Sequence, residues 1–321
     1  MRAGQNPAKF LEERVSEPER ITVAIITHIP HLEGYYAGSL DVLKASLNSL
    51  NKHTQLPYDL LIFDNASGVE TREYLQASFE IGQIQYLILS NENVGKGKAW
   101  DFIFAAAPGE IVAYADSDVY FKPKWLRAAL NLLETYPNVG MVSCRPMRTY
   151  SEGYTATQAW AEQDPESVLE RGSYIDWETF REHDSSLGQD EGDVRARYGS
   201  TSDLRVEYHG ETAFIGAAHW QFVALKKILQ EFLPLGIDRP LGDDRKLDNA
   251  LNQAGYLRLM TPEPLVRHMG NTLPEDLEAI RGERLPGMQD LSPARRLLDL
   301  PPIKRILLGI YNRIFRWYFY R

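Results

Sequence analysis

An α/β fold with a mostly parallel sheet flanked by helices is predicted by three features of the sequence. Short apolar, β-branched runs alternate with helical stretches from Ile21 to Cys144. Nearly every run ends in polar residues, as strands do where a parallel sheet opens to ligand. One cysteine, Cys144, leaves neither a disulfide framework nor a cysteine zinc site to hold the chain instead. Alternation of this kind implies a parallel sheet with right-handed crossovers.

The elements follow in order. Ile21–Thr27 (ITVAIIT) is a continuous apolar run, as in a strand covered on both faces. Leu40, Leu43, Leu47 and Leu50 then recur at helical spacing. Tyr58–Asp64 is a second strand, followed by a short helix around Glu70–Phe79. Ile84–Ser90 is a third, with a helix through Trp100–Ala106, and Glu110–Asp116 a fourth, with a helix from Pro123 to about Tyr136. Val139–Cys144 is the fifth. From Met147 to Asp203 the pattern dissolves into polar sequence with scattered aromatics, predicting a long irregular stretch, functional or disordered. Strands are expected at Leu204–Tyr208 and Thr212–Ala218, helices at Gln221–Phe232 and Asp243–Ala254, and short closing strands at Tyr256–Met260 and Leu265–His268. The domain boundaries expected are a polar lead-in (1–20), a main domain (21–271, divided at 21–146, 147–203 and 204–271) and a C-terminal linker and tail (272–321).

Composition narrows the function. The 321 residues are 44% hydrophobic and 25% charged, ordinary for a globular chain with a sizeable core. A net charge of −9 argues against a nucleic-acid binder, which needs a positive field. The lead-in lacks the apolar run of a secretory signal, and no stretch is apolar enough to span a bilayer, so a cytoplasmic protein is expected. Charge is uneven, however. Between Ser151 and Asp203 thirteen acids face four arginines, whereas from Ser292 onward seven basic residues face one acid. The tail after Pro301-Pro302 can form a helix with Ile306, Leu307, Ile310, Ile314 and Trp317 on one side and basic residues on the other. Such a basic amphipathic helix suits an anionic membrane surface, making the protein peripheral on the cytoplasmic face. The alternative is a helix packed on the domain or on a second subunit.

The chemistry-bearing residues sit at the strand ends. Asp116-Ser117-Asp118 closes an apolar strand, and two carboxylates one residue apart repel unless a cation relieves them. The bland alternative is a strand-to-helix turn with Asp118 near a cap. No GxGxxG follows the first strand and no GxxxxGK[ST] occurs anywhere, which excludes the common dinucleotide and P-loop fingerprints. Asn93-Val94-Gly95-Lys96-Gly97-Lys98 opens a helix with two lysines, a setting that suits phosphate. Arg145 and Arg148 are weaker phosphate candidates, and Cys144 reads as core.

Taken together, the strand ending at Thr27, Asp64-Asn65-Ala66-Ser67, Asn93 to Ala99 and Asp116-Ser117-Asp118 resemble, in that order, the nucleotide-binding half of glycosyltransferase family 2, inverting transferases of the GT-A fold. Phe214–Ala218, Leu241-Gly242-Asp243-Asp244 with its following helix, and Val266-Arg267-His268 resemble that family's acceptor half. The resemblance implies a GT-A-like domain and a nucleotide-sugar donor, UDP-sugars favoured. It places Thr27 beside the nucleotide, Asp64 and Asn65 at the base, Asn93, Gly95, Lys96 and Lys98 along the diphosphate and ribose, and Asp116 at the ribose or a metal-bound water. Asp118, Asp116 and His268 would hold Mn²⁺ or Mg²⁺. Asp244 matches the catalytic base and Asp243 the preceding acid, usually Glu, so a shorter side chain stands there. The acceptor would be a glycan or, with a membrane-bound tail, a lipid-linked sugar. The rival readings are a sugar nucleotidyltransferase, which would need a Gly-rich basic loop after the first strand, and a non-catalytic nucleotide-sugar-binding scaffold.

Overall fold

The computed structural model describes residues 15–239, 243–277, 310 and 313. The chain divides into two compact units, 1–278 and 279–321. Of the second unit only Ile310 and Arg313 are described, both helical and exposed, so the expected amphipathic tail lies outside the described residues. The same holds for Leu241 and Gly242 and for most of the lead-in. Among the described residues no helix is long and apolar enough to cross a membrane.

A ten-stranded mixed sheet forms the first unit. Its N-terminal part contains β1 (Ile21–Thr27), α1 (Ser39–His53), β2 (Asp59–Asn65), α2 (Val69–Glu80), β3 (Tyr86–Ser90), α3 (Gly95–Ala106) and β4 (Ile111–Asp116). Then come β5 (Val119–Phe121), α4 (Trp125–Thr135) and β6 (Val139–Ser143). The strands β3, β2, β1 and β4 lie side by side and parallel. Every residue of β1 and β2 is buried, which is why their sequences read as continuous apolar runs rather than alternating ones. The edge strand β3 stays partly exposed. Trp100, Ile103 and Phe104 of α3 pack under Tyr114 and Phe63 in the main core.

Two expectations are overturned beyond this point. Gln221–Phe232 is not one helix: Gln221–Leu225 forms a strand, β10, and only Lys226–Gln230 is helical (α8). Strand β10 inserts antiparallel between β4 and β6, with Val223 opposite both Ala113 and Val142. Its register in a buried sheet outweighs the helical spacing of its apolar residues, because both faces find partners there. The sheet is therefore mixed in its second half, in the order β4, β10, β6, β11 (Leu257–Met260), β9 (Glu211–Ile215), β8 (Asp203–Tyr208) and β7 (Ser167–Gly172).

The stretch from Met147 to Asp203 is also not irregular. It carries α5 (Thr155–Gln163), β7 (Ser167–Gly172), α6 (Trp177–Ser186) and α7 (Glu191–Ser200). Asp176 and Asp190 cap the last two helices by accepting backbone N–H groups. Strand β7 joins β8 (Asp203–Tyr208) and β9 (Glu211–Ile215) in an antiparallel extension. A small core of Ile175, Phe180, Val194, Phe214 and Met260 fixes the segment to the sheet. The remaining elements are α9 (Arg245–Gln253), β11 (Leu257–Met260) and β12 (Val266–His268).

Candidate active site

Local folding brings distant residues to the carboxyl ends of β1, β2 and β4. Thr27 ends β1 fully buried, and its Oγ1 has no hydrogen-bond partner. Asp64 is fully buried on β2; its carboxylate accepts from the Ser67 N–H (3.1 Å) and from Arg72 Nε (2.8 Å). Ala66 between them takes a left-handed φ of 64°. Asn65 accepts from the Val94 N–H (2.8 Å) and donates to Asn93 Oδ1 (2.9 Å), which also accepts from the Gly95 N–H (2.9 Å). His28 Nδ1 lies 2.6 Å from the Asn65 carbonyl, so this nitrogen carries the proton and Nε2 is left to accept from Asn93 Nδ2 (3.2 Å). The expected base- and ribose-side residues Asn65 and Asn93 thus form one network with His28, which the sequence did not single out.

Gly97 stands where α3 meets the loop leading to α9. A Cβ there would lie 2.2 Å from Cβ of Ile237, so only glycine permits this approach. One turn of that helix carries Lys96, 9% exposed, whose Nζ lies 2.8 Å from Asp116 Oδ2 and 3.6 Å from Asp244 Oδ2. Burial works against the ammonium charge, but Asp116, Asp244 and Asp118 outweigh it and hold the Lys96 pKa above its ordinary value. The Tyr114 hydroxyl occupies the other oxygen of Asp116. Lys98 is exposed and does not join this cluster.

Asp118 is brought to His268 by the two-stranded sheet of β5 and β12, in which His268 pairs with Val119. His268 Nε2 lies 3.2 Å from Asp118 Oδ2, and its Nδ1 lies 2.9 Å from Ser186 Oγ. Burial opposes the imidazolium, yet the Asp118 carboxylate prevails and raises the His268 pKa. Asp118 Oδ1 is buried without a partner. That orphaned oxygen beside an imidazole fits a divalent cation with carboxylate and nitrogen ligands, the rest being supplied by phosphate and water. No group of three or more His, Cys, Asp or Glu side chains that could hold a metal occurs among the described residues. Asp116 is turned to Lys96 and Tyr114 instead.

Asp244 is the N-cap of α9 but makes no side-chain capping bond, and its Oδ1 is buried and unpartnered. Asp243 lies 3.5 Å from Lys246 Nζ, one turn along. Sequence reasoning missed what stands behind Asp244. His219, on the turn between β9 and β10, places Nε2 3.6 Å from Asp244 Oδ2 and Nδ1 3.2 Å from Asp248 Oδ2. Gly216 starts that turn with φ 119°, where a Cβ would lie 2.4 Å from Thr149 Oγ1. Asp248 is buried on α9 and paired with the buried Arg258 (2.7 Å). The four-residue spacing of Asp244 and Asp248 was the available signal, since it sets both on one helix face.

Arg145 and Arg148 are no phosphate clamp. Arg145 is spent on Glu182 and on the Val266 and Thr179 carbonyls, and Arg148 on Asp203 and the Tyr198 carbonyl, between the Phe180 and Tyr198 rings. They tie α6 and α7 to the sheet. Cys144 is core, its thiol pushed up to about 12 by burial.

Several known proteins are similar to this chain. An uncharacterized glycosyltransferase of Nostoc sp. is 29% identical over 100 residues, 31% of each chain. A mannosyltransferase of Pyrobaculum calidifontis, solved with GDP-Man and Mn²⁺, is similar at 19% identity and a TM-score of 0.44, covering 78% of this chain and 56% of that one. TarS 1–349 of S. aureus is similar at 13% identity and a TM-score of 0.45, covering 82% and 63%. The chain thus spans about a third of the curated relative and under two thirds of either solved structure. Residues 35–193 match the model for glycosyl transferase family 2. That stretch holds β2, β3, β4 and the Asp116-Ser117-Asp118 strand end, and with it the chain carries a glycosyl transferase family 2 domain.

Proposed function

We propose that the chain transfers a sugar, with inversion, from a nucleoside-diphosphate donor to an acceptor hydroxyl on a glycan or lipid-linked acceptor. The observation that carries this reading is Lys96 set between Asp116 of the donor half and Asp244 of the acceptor half. A charge bridge of that kind defines one mouth where donor and acceptor can meet. Asp244, with one oxygen unpartnered, is the general base that takes the proton of the attacking hydroxyl. Asp243 lines the acceptor side. Thr27, Asn65, Asn93, Gly95 and Lys96 line the nucleotide and diphosphate. Asp118 and His268, with Asp116 nearby, would hold Mn²⁺ or Mg²⁺. When bound, the cation stabilises charge developing on the departing diphosphate.

UDP-sugars head the donors to test because the family resemblance sets Asp64 at the base. Asp64 already accepts from the Ser67 N–H and from Arg72, so the base preference is itself under test and a GDP-sugar is titrated beside the UDP-sugars. The lipid-linked acceptor and a peripheral cytoplasmic location rest on the basic, aromatic tail. The deciding experiment is calorimetric titration with UDP-glucose, UDP-N-acetylglucosamine and GDP-mannose, with and without Mn²⁺. Binding of at least one, strengthened by Mn²⁺, supports the reading; binding of none overturns it.

A further inference from the structure

We propose that His219 is the positioning residue and proton carrier behind Asp244, held in one tautomer by Asp248 and delivering the acceptor's proton to solvent. The inference rests on the reading of Asp244 as base and deepens it. Its ground is the chain Asp244–His219–Asp248–Arg258, in which consecutive side chains lie 3.6, 3.2 and 2.7 Å apart.

The order of the chain sets its direction. Arg258 is fully buried and donates to the Gly153 and Ala217 carbonyls as well as pairing with Asp248 Oδ1. Asp248 is thereby fixed with Oδ2 turned to the ring, where Tyr150 also approaches it (3.4 Å). A carboxylate can only accept, so Nδ1 of the neutral imidazole must carry the proton and Nε2 must present its lone pair. That lone pair lies on the side of Asp244. The 3.6 Å separation is too long for a hydrogen bond in the substrate-free state, and catalytic contacts of this kind commonly shorten once substrate is bound. The titratable and charged groups around the imidazole are Asp244, which caps α9, Asp248 of α9, Arg258 of β11 through Asp248, Lys96 of α3 through Asp244, His183 of α6, and Tyr150 beneath Arg245.

The steps balance. As the acceptor oxygen bonds to the anomeric carbon, the bond from that carbon to the diphosphate breaks and its electron pair leaves with the diphosphate. The hydroxyl proton goes to the unpartnered Oδ1 of Asp244, and rotation of the carboxyl group brings it to the Nε2 lone pair, giving an imidazolium still bonded through Nδ1 to Asp248. With 30% of the His219 side chain exposed, water can take the proton and restore both groups. Without such an exit, Asp244 would retain the proton beside the nearly buried Lys96.

The first test needs no substrate. In the ¹⁵N-labelled full chain, with the His219 signals assigned by their loss in His219→Gln, the neutral ring is expected as the Nδ1-protonated tautomer. Its Nε2 resonance is expected to move in Asp244→Asn, a variant that keeps the shape of the site. An Nε2-protonated tautomer, or an Nε2 resonance indifferent to Asp244→Asn, overturns the proposal. In the transfer assay, His219→Ala is expected to lower kcat at least tenfold with KM little changed, and added imidazole to restore part of the loss. An unaltered kcat, or a defect confined to KM, overturns it as well. Because the tautomer is read without donor, the proposal can fail while the transfer reading stands, and the reverse.

Discussion

Lys96 and Asp244 lie 3.6 Å apart although they belong to opposite halves of the domain. The lysine also holds Asp116 at 2.8 Å and is almost wholly buried, so it neutralises two carboxylates that would otherwise repel across the site. Replacing it removes a partner from a buried ion pair. Lys96→Met is expected to lose about 3 kcal/mol of stability in urea denaturation and to weaken donor binding. A loss under about 1 kcal/mol would mean that the bridge does not hold the two halves together.

Asp118→Ala is expected to abolish any stimulation of nucleotide binding by Mn²⁺, because it removes the carboxylate paired with His268. Calorimetric titration of UDP with and without Mn²⁺ checks this. Unchanged Mn²⁺ dependence would move the cation elsewhere.

Asp244→Asn keeps shape but removes the base. Donor affinity is expected to stay within about threefold while transfer falls roughly 10²–10⁴-fold, the usual worth of a general base. Near-normal turnover would assign the proton to another group.

Stability should fall in acid through His183. This imidazole is pushed down to about 3 by burial, with His268, Arg145 and Arg197 adding to the effect. In the unfolded chain it takes a proton below about pH 6.5. Above that pH both states are neutral and nothing is lost. From there down to about 3 the unfolded chain binds the extra proton, so stability declines by up to ~1.4 kcal/mol per pH unit from this group. Urea melts of His183→Gln against the parent between pH 7 and pH 4 should show a shallower decline in the variant.

Gly97→Ala is expected to cost about 1–3 kcal/mol by overpacking, since the new methyl would meet Ile237. The same displacement separates α3 from the loop leading to α9, so donor binding should weaken in step with thermal stability. A variant as stable as the parent would show that the contact yields without strain.

Local sequence by itself determined the first half of the fold. In β1 and β2 every residue is buried, so apolar runs and the polar residues that end them are written directly in the chain. The same is true of Asp116-Ser117-Asp118, whose strand end needs no distant partner to be seen. In the second half the sequence also predicts β8, β9, α9, β11 and β12, but two segments and one cluster were decided by tertiary structure alone. Gln221–Leu225 is a strand because β4 and β6 flank it, and the Met147–Asp203 stretch is ordered because Arg145, Arg148 and a small apolar core bind it to the sheet. The His219–Asp248–Arg258 chain depends on three elements meeting, and no spacing within one element encodes such a meeting. Burial can be read from neighbours in sequence only where the neighbours in space are the same.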